Sequence, residues 1–157
     1  MPKMTAGYAK NTIRRALRAV VDPEPSEKEV VKIWDFFSSA CAYCGRNLKK
    51  GAREGHVDHL VPATAAGTNH ISNRVLSCSV CNGDEKGDEP WLNFLRAKTK
   101  DQTLFKNRRK RIEDWMSRNA PLNPSAINSE LLKSVTESAV AAFDEAVTRL
   151  RGAKRKS

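Results

Sequence analysis

No stretch of the 157-residue sequence comes near the roughly 18 consecutive apolar residues needed to cross a bilayer. The N-terminal segment MPKMTAGYAKNTIRRALRAVV is basic, but it lacks the unbroken apolar run and cleavage site of a secretory leader. Aromatic residues are few, at 6% of the chain, so a domain of this size gains from a staple beyond its apolar core. Acidic residues are missing from the first twenty positions, and there is no internal repeat. These absences exclude a membrane-spanning protein and point to a soluble, cytoplasmic one: a single domain, or a domain with a helical extension.

What is abundant is positive charge. The formal net charge is +10, and it is unevenly placed. Lys3, Lys10, Arg14, Arg15 and Arg18 crowd the N-terminus, and residues 96–118 hold nine Lys or Arg against Asp101, Glu113 and Asp114. The chain ends RLRGAKRKS, and the acids collect around 22–35 and 84–89. Blocks of this kind suit a polyanion, because each phosphate neutralised releases condensed counterions. Charge alone does not separate DNA from RNA or from an anionic membrane surface.

Helical spacing of Ile13, Leu17, Val20 and Val21 predicts a helix over about 11–21, stopped by Asp22-Pro23-Glu24-Pro25. Ser26 with Glu29 forms a capping-box signature for a second helix, with Val30, Ile33, Trp34 and Phe37 on one face. Strands are expected at 55–60 and 74–77, with a loop between them, and a short helix from the second cysteine pair to about Lys86. Beyond Pro90 the pattern is helical: Trp91, Phe94 and Leu95, then a basic amphipathic stretch marked by Phe105, Ile112, Trp115 and Met116. Residues 119–124 interrupt it, and 129–150 is strongly helical. The aromatics at helical spacing read as core.

Four cysteines come as two CxxC pairs, Cys41/Cys44 and Cys78/Cys81. Without signs of secretion, two such knuckles read as one tetrahedral zinc site. The 33 residues between the pairs exceed what a zinc ribbon needs, leaving room for two strands and a loop. A filled Cys₄ shell has no open position for water, so this zinc is structural. At the end of the first strand, Asp58 offers a hard carboxylate ligand and His59 a base able to take a proton near pH 7. Asn82, just after the second knuckle, offers an amide oxygen. A base for water and a cation on a phosphate are the minimum machinery for hydrolysing a phosphodiester.

The strings CAYCG, VDHLVP and NRVLSCSVCNGDEKG, in that order over residues 41–87, closely resemble the HNH endonuclease family. The resemblance implies an α+β fold: a ββα-metal core, here stapled by Cys41, Cys44, Cys78 and Cys81. It implies His59 as general base, Asp58 as ligand of a catalytic Mg²⁺ or Mn²⁺, and Asn73 as the residue that holds the base. The third motif position is Asn82, a second ligand, making this an H-N-N variant. Family products carry a 5′-phosphate and a 3′-hydroxyl.

The expected organisation is a basic helical segment at 1–40, the nuclease core at 41–95, a helical DNA-contacting region at 96–150 and a basic tail at 151–157. Arg74, Lys86, Lys106, Arg108, Arg109, Lys110 and Arg111 are the candidate phosphate contacts, the last five because they crowd more than one face of a helix. His56 and His70 receive no role. The expected function is cleavage of double-stranded DNA by a restriction-like or a phage or mobile-element nuclease, acting as a homodimer if its site is two-fold symmetric. The alternative is a zinc-containing nucleic-acid-binding module without catalysis.

Overall fold

The structure, a computed structural model, describes residues 4–121 and 129–154. Part of the interruption expected at 119–124 and the last three residues of the basic tail lie outside them. The chain forms two compact units, one of residues 1–23 with 124–157 and one of 24–123.

The first unit pairs helix α1 (Ala6–Val21) with helix α5 (Ser129–Lys154). α1 begins earlier than its apolar spacing predicts because Thr5 caps it, its hydroxyl accepting the Tyr8 N–H at 3.2 Å. Ile13 and Leu17 are half-buried, as are Phe143 and Val147 of α5, and Lys10 Nζ reaches Asp144 at 3.1 Å.

The second unit holds everything else. Helix α2 (Glu27–Phe36) starts at the capping box: Ser26 N–H donates to Glu29 Oε2 at 2.8 Å, and Ser26 Oγ accepts Glu29 N–H at 3.4 Å. Strands β1 (Gly55–His59) and β2 (Arg74–Cys78) pair antiparallel, Gly55 opposite Cys78 and His59 opposite Arg74. β1 passes so close to α2 that a Cβ at Gly55 would lie 2.4 Å from the Trp34 ring, a position only glycine fits. Two short 3₁₀ turns, Ala63–Ala65 and Ile71–Asn73, shape the connection.

After β2 the expected short helix is a π-helix, Val80–Glu85, continued by Lys86 N–H bonding to Cys81 O at 3.1 Å. Such wide turns insert a residue into a helix and recur at functional sites. The helical stretch after Pro90 is two helices, α3 (Trp91–Lys98) and α4 (Gln102–Arg118), because Asp101 starts a new one by accepting Leu104 N–H at 2.8 Å. The core combines Ile33 of α2 and Phe37 just after it, Val75 and Leu76 of β2, Tyr43, Leu60, Leu95, and Ile112 with Trp115 of α4. The fold is therefore α+β, a two-stranded sheet with helices around it and four clustered cysteines.

Candidate active site

The two knuckles are brought together by the sheet. Cys41–Gly45 is a tight turn closed by Gly45 N–H to Cys41 O at 2.9 Å, and it is tied to β2 by Ala42 N–H to Leu76 O at 2.8 Å. Gly45 has φ +76°, and a Cβ there would strike the Arg108 guanidinium. Cys78 ends β2 and Cys81 enters the π-helix. All four thiols are free, and their Sγ atoms lie within 4.8 Å of one another. Cys44 and Cys78 Sγ are 3.8 Å apart, close to the edge of about 3.8 Å implied by tetrahedral Zn–S bonds. Burial and the neighbouring sulfurs push the Cys44 and Cys81 thiols up. At Cys41 burial acts in the same direction, but N–H donors from Cys44, Cys78 and Tyr43 outweigh it and the thiol is lowered. Four sulfurs this close cannot all ionise without a cation, and the donor set fits a structural zinc.

The other end of the sheet carries Asp58, His59 and Arg74. Asp58 and His59 are adjacent in β1, so their side chains leave on opposite faces. Asp58 is buried. Its Oδ2 accepts the Tyr43 hydroxyl at 2.9 Å and lies 3.3 Å from Lys86 Nζ. Burial raises the Asp58 carboxyl, against the lowering effect of the Lys86 charge and the Tyr43 bond. Lys86, whose side chain is 1% exposed, also donates to His59 O at 2.8 Å. It therefore points inward to the end of β1 instead of outward to a phosphate, because the π-helix turns it under the strand.

His59 is half-buried. Its Nε2 lies 2.8 Å from Asn69 Oδ1, and Arg74 Nη1 sits against the ring, 2.6 Å from Nδ1 and 2.5 Å from Nε2. Asn69 engages Nε2, and the guanidinium lies against both ring nitrogens. Burial and then the Arg74 charge lower the His59 pKa, and the imidazole is kept neutral. Arg74, itself buried, pairs beyond the ring with Glu24 Oε2.

Asn73 stitches the chain around His59. Its Oδ1 accepts Val61 N–H at 2.8 Å, and its Nδ2 donates to Val61 O at 3.0 Å and Thr68 O at 2.8 Å. The Trp115 indole N–H of α4 holds the same corner, bridging Ile71 O at 3.1 Å and Arg74 O at 2.7 Å. Asn82 is half-buried in the π-helix directly after Cys81, so the second knuckle fixes its backbone. His56 stands opposite Ser77 in the sheet, and His70 caps the second 3₁₀ turn by accepting Ser72 N–H at 3.2 Å.

The cations of α4 divide. Arg108 donates to Cys44 O at 2.9 Å and Thr99 Oγ1 at 3.0 Å, bracing the first knuckle. Arg111 donates to Phe36 O and to Ser38 Oγ at 2.8 Å, over the rings of Phe36 and Phe37, and closes the end of α2. Neither faces outward as a phosphate contact would. Lys106, Arg109 and Lys110 are exposed, with Arg109 paired to Glu113 one turn on.

Four contributors to this site escaped the sequence reading: Glu24, Tyr43, Asn69 and Trp115. Each acts by a contact distant in sequence, and only Trp115 carried a signal, its core spacing in α4.

Residues 41–88 match the family model described as HNH endonuclease. A search of curated proteins finds no match to the chain. The matched segment runs from the first CxxC knuckle through both strands to the residues after the π-helix, and over it the chain is similar to the HNH endonuclease family.

Proposed function

We propose that the protein is a metal-dependent DNA endonuclease with His59 as its general base. One observation carries this reading: His59 stands half-buried at the end of β1, its Nε2 2.8 Å from Asn69 Oδ1 and its pKa lowered by burial and the Arg74 charge, inside a segment that matches the HNH endonuclease model. A neutral imidazole can accept a proton at pH 7, and a positioned base contributes about 10²–10⁴-fold to the rate.

In the proposed reaction, His59 takes a proton from a water molecule as its oxygen attacks phosphorus in line. The P–O3′ bond breaks, the departing 3′ oxygen is protonated, and the products are a 5′-phosphate and a 3′-hydroxyl. Asp58 and Asn82 are the ligands we assign to a divalent ion such as Mg²⁺ or Mn²⁺, which when bound stabilises the charge developing on the phosphate. Asn73 positions the base by fixing the chain on both sides of the loop. Cys41, Cys44, Cys78 and Cys81 hold zinc and keep β2 and the π-helix together.

Segments 1–40 and 96–150 serve the core as flanking helical regions, with Lys106, Arg109 and Lys110 as the outward phosphate contacts of α4. A restriction-like or phage or mobile-element role and a homodimer on a two-fold site belong to the same proposal. The test is supercoiled plasmid incubated with zinc-loaded protein, with and without Mg²⁺ or Mn²⁺, followed by sequencing of the ends. Nicked or linear DNA with 5′-phosphate ends supports the proposal. Binding without cutting in any divalent ion would favour a zinc-containing nucleic-acid-binding module.

A further inference from the structure

The buried guanidinium of Arg74 lies between two partners of different kinds. On one side is the His59 ring, the nearest atoms 2.5 and 2.6 Å away; on the other is the carboxylate of Glu24. The Arg74 side chain is 6% exposed, whereas that of Glu24 is 66% exposed. The arginine is thus fixed in place, and the carboxylate closes its outer side from solvent. Glu24 lies between Pro23 and Pro25, just before the Ser26 cap of α2, and the two rings restrict the backbone that presents it. A guanidinium takes carboxylate and phosphate oxygens in the same geometry.

We infer that Glu24 is an internal stand-in for a substrate phosphate, a latch that holds Arg74 over His59 in the DNA-free protein. When DNA binds, a phosphate oxygen replaces the Glu24 carboxylate on Arg74. The guanidinium is drawn outward to it and the His59 ring is uncovered. Arg74 then serves two ends: it clamps a backbone phosphate and releases the base only when that phosphate is present. No bond is made or broken in this step; one anion exchanges for another on the same guanidinium. The inference rests on the nuclease reading for its purpose, but its anion exchange is measurable without cleavage.

The experiment uses the full chain, zinc-loaded, with no other divalent ion, and a labelled duplex read by fluorescence anisotropy. Glu24→Gln removes the competing charge and keeps the shape; Glu27→Gln, an exposed glutamate in the first turn of α2, reports the general effect of one lost acid. The latch predicts about tenfold tighter binding for E24Q, the scale of one charge-assisted hydrogen bond, and about twofold or less for E27Q. In an Arg74→Lys background the E24Q gain should shrink to that of E27Q. Should R74K fail to fold, titration with inorganic phosphate, followed by the His59 ring proton shifts, replaces it. E24Q should then half-saturate at about tenfold lower phosphate than the parent. Equal affinities for E24Q and E27Q overturn the latch, as does a loss of thermal stability in E24Q with no gain in binding. Plasmid cleavage by a parent that fails this test would sink the latch and leave the nuclease; binding that passes it without cleavage does the reverse.

Discussion

Replacing Lys86 with Met tests whether the pair beneath β1 is as closed as its geometry implies. The ammonium lies 3.3 Å from Asp58 Oδ2 and donates to His59 O at 2.8 Å, with 1% of the lysine side chain exposed. Met fills most of the volume and removes the charge. Asp58 then keeps the Tyr43 hydroxyl and the His59 backbone N–H, and a buried carboxylate stripped of its cation costs about 3–5 kcal/mol. Protonation limits the loss: at pH 7, neutralising a carboxyl of ordinary pKa 3.8 costs about 4.4 kcal/mol, and less here because burial has already raised it. A destabilisation of about 3 kcal/mol follows, which for a unit of residues 24–123 lowers Tm by roughly 15 °C. All three tryptophans lie in that unit, so intrinsic fluorescence follows its melting directly. A group whose folded pKa is raised stabilises most below its unfolded pKa and loses that contribution as pH rises. The K86M deficit should therefore be smaller at pH 5 than at pH 8, measured without added divalent ions. Asp58→Asn in the K86M background should recover part of the loss, since the amide is neutral and its oxygen still accepts from Tyr43. A K86M protein melting within about 3 °C of the parent would refute the buried pair.

Zinc removal or Cys78→Ala should unfold the 24–123 unit, because a structural zinc contributes about 10 kcal/mol or more, comparable to the whole stability of a small domain. Metal analysis of the parent should give one zinc per chain. Trp115→Phe removes the N–H that bridges Ile71 O and Arg74 O, and should cost about 1–3 kcal/mol by urea titration while also slowing cleavage. The His59 pKa is lowered from the ordinary 6.5, so the midpoint of the acid limb of the rate–pH profile should lie below that value. A rate–pH profile with its acid limb above 6.5 would contradict that.

Much of this arrangement was legible in the sequence where the governing interactions are local. CxxC spacing places two sulfurs on one turn, the Ser26–Glu29 box closes within a single helical turn, and the short segments 55–60 and 74–77 on either side of the loop read as the strands. Asp58, His59, Asn73 and Asn82 could be picked out because the motif binds them to those elements. The contacts that condition the site follow no such period. Glu24 reaches Arg74 across 50 positions and Trp115 reaches Ile71 across 44. The inward turn of Lys86 depends on a π-helix that apolar spacing does not distinguish from an α-helix. Arg108 and Arg111 looked like surface charge because the sequence does not show which carbonyls an arginine will find. Their partners at Cys44 and Phe36 come from other elements.

The central claim is that His59 is the base of a DNA-cutting reaction. The direct measurement compares parent and His59→Ala on supercoiled plasmid with Mg²⁺ or Mn²⁺, at protein concentrations giving equal DNA occupancy and with folding verified by tryptophan fluorescence. A loss of about 10²–10⁴-fold in nicking rate, with DNA binding kept, is the predicted result. Cleavage by H59A at the parent's rate, or a parent that binds and never cuts, would contradict it.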